Sequence, residues 1–495
     1  MLNLISDPWI PVRRRSGPDI IRPDQIAEPD VLFPDWPRPD LNLACLELLI
    51  GLVYIAAPPE SGADWTGRAP DPVALRAALA PLAPAFNLLG DGPRFMQDYE
   101  AIAGSDNPPD MLFIDSAGGS TAKKNADLMV RRGRYGALPL NLAAMALYTL
   151  QAFAPSGGAG NRTSMRGGGP MVTLVRPAAP GLWPLIWANV PEGAPLPPDE
   201  LDELPWMRPC EISDAKGKVT VPPGDGTGPP HPEVFFGQPR RLRLKAAGDE
   251  VTGVIQAPWG TNYEGWRHPL SPYYRTATGL LPKHPKPGPF GYRNWRGIVL
   301  QTEGAERATC LKRFRAQFPD TPCRLLVGGW AMANMSPLDF LWSEAPVFRL
   351  DPDGEVLAGR LVEAAEQAGY ALAAAVRAAK GEGDIGTGAG QRVREAFFVQ
   401  TQAPFEAQVR RIGSVQAAEV AQAWLAETRR VAMALFDTEV MPGMADLGET
   451  RRQAAVAARR NLLSTFKGYG AMGKKAYTAL DLPLPKRNLK VEATT

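Results

Sequence analysis

The sequence predicts an α+β protein, with a large irregular mixed domain over residues 1–352 and a C-terminal four-helix bundle over residues 353–495. At 495 residues the chain exceeds the size at which one hydrophobic core keeps growing, so two or more domains are expected. After residues 351–354 (DPDG) the composition changes to Ala, Glu, Arg and Leu with helical periodicity. Before that point, short β-rich runs mix with helices and proline-rich loops, without the βαβ repetition of a doubly wound sheet.

The elements of the first domain follow from local patterns. Short apolar or alternating runs flanked by turn residues predict strands at residues 10–12, 171–175, 241–244, 297–301 and 324–327. Apolar positions at three- and four-residue spacing predict helices over residues 41–56 and 140–153. The stretch from 177 to 239 is rich in proline and polar residues, which indicates a surface loop.

The bundle is predicted from four helical blocks, at residues 355–380, 391–411, 415–437 and 447–479. Glycine or proline marks each connection, at 381–390, 413–414 and 441–443. Residues 451–495 carry ten Lys or Arg and two acids, so the end of the bundle is expected to form a basic surface.

Residues 121–176 contain the strongest indication of a ligand. Their net charge is +7 in a chain of net charge +2, because one acid, Asp127, opposes eight basic residues: Lys123, Lys124, Arg131, Arg132, Arg134, Arg162, Arg166 and Arg176. Two glycine-rich turns, at 157–160 and 167–169, lie among the arginines, and glycine lets backbone N–H groups approach a phosphate or a groove edge. This combination favours nucleic acid.

A second region typical of nucleic-acid binding is residues 259–296. Eight aromatic residues alternate there with six Lys or Arg, opposed by Glu264 alone. Basic grooves with aromatic stacking surfaces hold single strands in this way, although half or more of these aromatics could equally belong to the core.

The groups that enzymes usually need are missing from the sequence. Three separate histidines, no HxH, HExxH or GxSxG motif and four cysteines without a CxxC leave no evident metal site or catalytic triad. Residues 468–475 imitate a phosphate-binding loop, but Lys475 replaces the hydroxyl that would hold magnesium, and the preceding residues 459–467 look helical rather than extended. No cofactor is therefore expected. Lys474 and Lys475 remain candidate phosphate contacts, with a solvated helix end as the alternative.

Location is predicted from the N-terminus and the apolar runs. The N-terminus has no basic leader before an apolar stretch, and the apolar runs at 43–58 and 138–155 are interrupted by polar residues and look too short to cross a bilayer. A cytoplasmic protein without a membrane partner is expected.

Several motifs in a fixed order make the chain resemble a known family. These are DPWIPV at 7–12, TAKKNAD at 121–127, APSGGAGNRTSMRGGGP at 154–170, WRHPLSP at 266–272, GGWAMANM at 328–335 and the terminal bundle. Together they resemble the CasA family, the large subunit of the type I-E CRISPR surveillance complex Cascade. The resemblance implies a non-catalytic subunit of a crRNA-guided complex. Such a subunit recognises the protospacer-adjacent motif (PAM) in double-stranded target DNA, starts duplex opening and offers a platform for the helicase-nuclease recruited in trans.

The resemblance also implies roles for individual residues. The family's minor-groove glycine loop falls on Gly157, Gly158, Ala159 and Gly160, and its wedge beside the PAM falls on Asn334, for which an ordinary loop cap is the alternative. Lys123, Lys124 and Asn125 match the loop that meets the guide-RNA 5′ handle and the subunit capping it, with Leu128 and Met129 near the PAM. Arg162 and Arg166 are expected to contact phosphates.

The sequence departs from some relatives in three places. Leu128 and Met129 stand where some members have an aromatic, and residues 139–142 replace a paired CxxC zinc motif. Residues 253–266 contain no Lys or Arg where some members project a PAM-reading lysine, so Gln256, Asn262 or Arg267 would have to replace that contact.

Two hypotheses follow for the chain as a whole. In the first, it reads the PAM within a complex of crRNA, backbone subunits, the 5′-handle-capping subunit and small subunits. In the second, it is an assembly scaffold that docks small subunits through residues 355–480 and leaves DNA reading to others.

Overall fold

The computed structural model describes residues 2–116, 133–158, 160–224, 228–381, 388–442, 444 and 448–485. The chain divides into two compact units. The first comprises Met1–Pro289 and Glu306–Val347, and the second comprises Phe290–Ala305 and Phe348–Thr495. The second unit thus takes in a segment that the sequence had assigned to the first domain, because Tyr292 stacks on Phe405 at 4.2 Å between ring centroids and its backbone N–H donates to Gln402.

The elements of the first unit, in chain order, are as follows. The strands are β1 (Ile10–Arg14), β2 (Gly17–Ile21), β3 (Val31–Pro34), β4 (Ser105–Asn107), β5 (Leu138–Pro139), β6 (Val172–Pro177), β7 (Arg241–Ala247), β8 (Glu250–Ala257), β9 (Tyr273–Thr276), β10 (Gly279–Pro282), β11 (Ala305–Glu306, of which Ala305 is assigned to the second unit), β12 (Cys323–Ala333) and β13 (Ser336–Pro346). The helices are α1 (Pro39–Ala56), α2 (Gly62–Gly67), α3 (Pro72–Leu79), α4 (Leu140–Phe153), α5 (Leu182–Trp187), α6 (Glu233–Phe236) and α7 (Thr309–Gln317).

Small antiparallel sheets rather than one large sheet support this unit. Their strand orders are β2-β1-β3, β13-β12-β6 and β4-β8-β5, with β7 also paired to β8, and β9 forms a hairpin with β10. The β12–β13 hairpin is the longest pairing, and its register runs from Arg324 opposite Pro346 to Ala333 opposite Ser336. The sheets therefore do not form a doubly wound core, which agrees with the predicted irregular α+β class.

Helix α1 is the central apolar helix of the first unit. By length and composition alone it could cross a membrane, which corrects the expectation that this run is too short, but 89% of it is buried inside the protein. Glycine fits at Gly51 because a Cβ there would lie 2.7 Å from Cβ of Phe235. Such close contacts are typical of a core helix packed on all sides.

Most of the local sequence predictions in this unit are confirmed. The strands predicted at 10–12, 171–175, 241–244 and 324–327 are β1, β6, β7 and part of β12, and the helices predicted at 41–56 and 140–153 are α1 and α4. The strand predicted at 297–301 is wrong. Residues Ile298, Val299 and Leu300 all donate their backbone N–H to the carbonyl of Trp295, so the chain turns there instead of extending.

The second unit contains five helices in its described residues: α8 (Pro352–Lys380), α9 (Ala389–Arg411), α10 (Ala417–Val440), α11 (Glu449–Thr465) and α12 (Gly470–Ala479). Helix α8 starts where the DPDG turn predicts, with Pro352 at its first position and the Asp351 carboxylate accepting the backbone N–H of Gly354 at 2.7 Å. It ends at Gly381, which has φ +65° as a left-handed C-terminal residue.

The last predicted helix is divided in two. Residues 447–479 were expected to be continuous, but the chain breaks after Thr465, and Gly468 and Gly470 adopt positive φ. Gly473 then packs against the end of α11, since a Cβ on it would lie 2.5 Å from the carbonyl oxygen of Thr465. The apolar helical periodicity continues through this turn in the sequence, because apolar residues beyond the turn pack α12 in the same way.

Candidate nucleic-acid interface

In the glycine loop, residues 157–160, the described residues Gly157, Gly158 and Gly160 belong to a tight turn that is exposed at Gly157 and Gly158. Gly157 donates its N–H to the carbonyl of Asn161 at 3.0 Å, and Asn161 donates back to Gly158 at 3.2 Å. Gly157 and Gly158 are exposed, and a Cβ at Gly158 would meet nothing within 4 Å. Gly157 and Gly158 thus present main chain without side chains to their surroundings.

Gly160 is required by a close contact inside the protein. Its φ is +73°, and a Cβ there would lie 2.5 Å from Cε3 of Trp259 and 2.9 Å from the Trp259 backbone nitrogen. That nitrogen donates to the Gly160 carbonyl at 3.1 Å. Any side chain at position 160 would therefore displace Trp259.

Arg162 and Arg240 lie next to the glycine loop, and each is fixed by hydrogen bonds to other parts of the chain. Arg162 donates from Nε and Nη2 to the hydroxyl and carbonyl of Ser213, both at 2.7 Å, and its guanidinium lies over the Trp259 ring. Arg240 is buried, donates to the carbonyl of Pro155, and has its pKa lowered to about 10 by burial. The sequence analysis did not single out Arg240, whose contacts come from distant elements and leave no local signal.

The second glycine segment, residues 167–169, lies under the end of the β12–β13 hairpin. A Cβ at Gly168 would lie 3.2 Å from the sulfurs of Met332 and Met335, and one at Gly169 would lie 2.5 Å from the Trp330 carbonyl. Gly168 and Gly169 are buried beneath the hairpin end, and a Cβ on Gly168 would also lie 2.9 Å from Cα of Pro155, two residues before the glycine loop.

Asn334 and Met335 form the two-residue turn of that hairpin. Their φ values are +47° and +63°, and they follow the final pair, Ala333 opposite Ser336. Two left-handed central residues define a type I′ turn, a conformation that asparagine tolerates better than most residues. Both residues are exposed, so Asn334 lies at the exposed tip of the hairpin, one residue before Met335, whose sulfur would lie 3.2 Å from a Cβ on Gly168.

Burial corrects the prediction that Arg166 contacts a phosphate. Its side chain is 3% exposed and its Nη2 lies 2.5 Å from Oε1 of Glu47 on α1, which is 1% exposed. His268 Nε2 lies 3.3 Å from the same oxygen. Glu47 is the counter-ion of Arg166. Burial alone would raise the pKa of Glu47, but the charge of Arg166, together with a contribution from His268, holds that pKa below its usual value.

Comparison with known proteins decides the family. The profile of the CRISPR-associated protein Cse1 family matches residues 3–435. The chain belongs to the Cse1 family. Its fold is similar to that of CasA from Thermus thermophilus, with a TM-score of 0.71 and 18% identity over 94% of this chain and 98% of that chain. CasA and Cse1 name the same protein, so the family identified from the sequence motifs is confirmed.

Other solved structures show the same fold. Cse1 from Thermobifida fusca aligns with a TM-score of 0.70 and 18% identity, covering 97% of this chain and 98% of that chain. A chain of a structure described as a CRISPR RNA-guided surveillance complex aligns with a TM-score of 0.67 and 18% identity, covering 93% and 99%.

Charge counting overstated the free positive charge of this Cse1-family chain. Arg134 pairs with Asp115 at 3.0 Å and Arg176 pairs with Glu344, so neither presents an unopposed charge. Of the basic residues described between 133 and 176, Arg162 is the one that is partly exposed and has no carboxylate within ion-pair distance in the described chain.

The aromatic and basic region at 259–296 does not form one stacking surface. Trp266 and Tyr273 are buried in the first unit, and Tyr292 and Trp295 are buried in the second, whereas Trp259 and Tyr274 are exposed. The core interpretation is therefore right for at least half of these residues. Three residues were named as substitutes for the PAM-reading lysine of some relatives. Of these, Gln256 and Asn262 are half-buried and Arg267 is exposed.

Lys474 and Lys475 lie on α12 in the second unit, and both are exposed. The preceding segment is helix α11 rather than a strand, as the sequence indicated, so residues 468–475 do not form a phosphate-binding loop. Within the described ranges, no group of three or more His, Cys, Asp or Glu residues could hold a metal ion.

Some predicted site residues fall outside the described residues. These are Lys123, Lys124, Asn125, Leu128, Met129 and Ala159. Their assigned contacts with the guide RNA, the capping subunit and the PAM remain predictions.

Proposed function

We propose that this Cse1-family protein is the large subunit of a crRNA-guided type I-E Cascade complex. It recognises the PAM in double-stranded target DNA, initiates unwinding beside it, and provides a platform for a helicase-nuclease recruited in trans. Its partners are the crRNA-loaded backbone, 5′-handle-capping and small subunits, and it acts in the cytoplasm without catalysing a reaction. Family membership and the likeness to a chain of a surveillance complex support this proposal.

The observation that carries the proposal is that Gly168 lies between the hairpin tip and the start of the glycine loop, since a Cβ on it would lie 3.2 Å from the sulfur of Met335 and 2.9 Å from Cα of Pro155. The exposed main chain at Gly157 and Gly158 can approach a minor groove that would exclude side chains. The minor groove distinguishes A·T from G·C pairs but little else, so the PAM preference should be relaxed.

Asn334 is the residue proposed to open the duplex beside the PAM. A rigid two-residue turn carries its side chain beyond the last backbone pair of the hairpin, where it can enter an opened base step. The guide–target duplex is about as stable as the DNA duplex that it replaces, in which each base-pair step contributes about 1.4 kcal/mol of stacking. Because the exchange is nearly balanced in free energy, one inserted side chain can start it.

The test is binding of the crRNA-loaded complex, with and without this subunit, to duplexes that carry a randomised PAM. Omission of the chain should abolish PAM-dependent binding. Asn334→Ala and Gly160→Asp should do the same, but Gly160→Asp also disturbs Trp259. Gly158→Asp is the cleaner change, because the fold has room for a side chain at that position.

Gly92→Asp is the matched control for Gly158→Asp, since a Cβ at Gly92 also meets nothing within 4 Å. The control should bind like the parent complex, whereas Gly158→Asp should lose PAM-dependent binding. Undiminished PAM selection without the chain would refute the recognition role and favour the assembly scaffold. Metal- or ATP-dependent turnover by the purified chain would contradict the non-catalytic part of the proposal.

A further inference from the structure

We propose that Trp259 is a DNA-contacting residue that, with the glycine loop, forms the surface facing the minor groove. The proposal rests on the proposed function of this site. It adds an aromatic contact and an N–H donor to a surface otherwise made of exposed backbone and the Asn334 tip.

The conformation of Trp259 is unusual for its size. It follows strand β8, between Pro258 and Gly260, with φ +62°. A bulky residue at positive φ is a genuine outlier, and such conformations persist where the surrounding structure imposes them. Trp259 is also 40% exposed, although most of the large aromatic side chains of this unit are buried.

Backbone contacts on both sides hold Trp259 in that conformation. Its N–H donates to the carbonyl of Gly160 at 3.1 Å, and its carbonyl accepts the N–H of Ser213 at 3.1 Å. The next residue, Gly260, lies so close to Pro239 that a Cβ on it would fall 1.9 Å from the Pro239 carbonyl oxygen. These contacts hold the main chain at residues 259 and 260 in a position that leaves the indole against Gly160 and partly exposed.

Arg162 completes the arrangement. Its guanidinium carbon lies 5.5 Å from the centroid of the Trp259 ring, within the range of a cation–π contact. Ser213 takes hydrogen bonds from Nε and Nη2, which leaves Nη1 without a hydrogen bond to the described residues. A phosphate oxygen that reached Nη1 would also lie beside the indole.

The chemistry of the indole suits the minor groove. Its Nε1–H is a donor with no hydrogen-bond partner among the described residues, and the edges of A·T pairs there present only acceptors. The ring can also pack against deoxyribose or an unstacked base, as aromatic side chains do in single-strand binding. Double-stranded DNA opened beside the glycine loop would offer both partners.

The test compares Trp259→Phe and Trp259→Leu in the crRNA-loaded complex, with Tyr99→Leu as the control. Tyr99 is exposed to the same extent, at 42%. We expect Trp259→Leu to weaken binding to PAM-containing duplex by about tenfold or more and Trp259→Phe by less, because phenylalanine keeps a ring and loses the donor. Tyr99→Leu should leave binding unchanged, and all three complexes should assemble normally.

A direct readout separates contact from a structural effect. With p-benzoylphenylalanine at position 259, irradiation should cross-link the subunit to the target duplex next to the PAM. Cross-linking to a neighbouring protein subunit, or binding by Trp259→Leu within twofold of the parent, would overturn the proposal. If Trp259→Leu is silent while Gly158→Asp abolishes PAM-dependent binding, only this inference fails. If both are silent, the proposed function fails as well.

Discussion

Asn334 can be explained in two ways, and both make use of its left-handed backbone. As a turn residue it is suitable because asparagine tolerates φ +47°. As a wedge it is suitable because the same turn exposes its amide at the hairpin tip. A substitution to alanine alters both properties at once, so it cannot separate the two explanations.

Glycine at position 334 does separate them. Asn334→Gly keeps the positive φ and removes the amide, so the thermal stability of the subunit should stay close to that of the parent. If Asn334 is a wedge, the Gly variant should fail to open PAM-containing duplex, as measured by 2-aminopurine fluorescence beside the PAM, and should lose PAM-dependent binding as Asn334→Ala does. Normal opening by Asn334→Gly would show that the residue serves the turn alone.

The buried cluster of Glu47, Arg166 and His268 explains why an arginine in a glycine-rich basic segment is not free. Arg166 also donates to the Ser271 hydroxyl at 3.1 Å, and Ser271 donates to the carbonyl of Met171. The cluster therefore ties the second glycine segment to α1 and to the start of β6. Removing one buried partner of such a pair costs about 3–5 kcal/mol, because the remaining charge is left uncompensated.

The same cluster predicts acid sensitivity. Burial, with a further contribution from Arg166, lowers the pKa of His268 from its ordinary 6.5 to about 4, despite the nearby Glu47 carboxylate. The neutral form is thus favoured in the folded state. The resulting stability is complete above about pH 6.5 and is lost as the pH falls toward 4. Urea unfolding of the subunit between pH 4 and 7 should show this decline.

His268→Gln should make the decline shallower, because a glutamine cannot bind the proton. It should not remove the decline entirely, since burial also lowers the pKa of His284. Glu47, whose pKa is lowered, adds a further loss of stability only below the ordinary carboxyl range, so the two contributions can be told apart by pH. An unchanged slope in the glutamine variant would contradict a buried neutral His268.

At the scale of elements, α12 depends on glycine more than its helix propensity suggests. Alanine is the better helix former, yet a Cβ at Gly473 would lie 2.5 Å from the Thr465 carbonyl oxygen and 3.1 Å from backbone of Gly468. The short helix can therefore pack on the end of α11 only when residue 473 has no side chain. The break itself falls at Gly468 and Gly470, whose positive φ the apolar pattern does not reveal.

Two matched substitutions test this packing. Gly473→Ala should destabilise the helical unit by about 1–3 kcal/mol, as overpacking does. Gly359→Ala in α8 should stabilise it by up to about 1 kcal/mol, because the nearest atom, Cγ2 of Thr302, would lie at an ordinary 3.8 Å. Denaturant midpoints of the two variants should move in opposite directions, and a gain from Gly473→Ala would refute the packing argument.

At the scale of the whole molecule, the net charge of +2 conceals an uneven distribution. Many of the arginines that look free in the sequence are paired with carboxylates, whereas Lys474 and Lys475 are exposed and have no ion pair within the described part of the chain. Unpaired surface charges of this kind contribute to affinity for DNA through release of counter-ions.

Removing both lysines should therefore change the salt dependence of DNA binding. If each neutralises one phosphate, Lys474→Gln with Lys475→Gln should make the slope of log affinity against log salt concentration shallower by about 1.8. The loss should be similar for targets with and without a PAM. Lys245→Gln is the control, because Asp106 lies 2.6 Å from Nζ of Lys245 and already neutralises it. Equal slopes for all complexes would assign Lys474 and Lys475 to a solvated helix end.

Much of the fold could be predicted from local sequence. The turn at 351–354 marks the start of α8 with an aspartate cap and a proline, and continuous apolar periodicity marks α1 and α4. The family could be identified because motifs such as GGWAMANM and the glycine-rich segment occur in a recognisable order. These features depend on neighbouring residues, which the sequence displays directly.

The sequence alone determined the mixed α+β class, the helical C-terminal region and the family, since periodicity, caps and motif order are local properties of the chain. Only the tertiary structure decided which arginines are free, that Phe290–Ala305 belongs to the helical unit, and that Trp259 is held exposed against Gly160. Those outcomes depend on partners such as Glu47, Phe405 and Ser213, which are distant in sequence. Burial and ion pairing arise from contacts that form when the chain folds, so no local pattern encodes them.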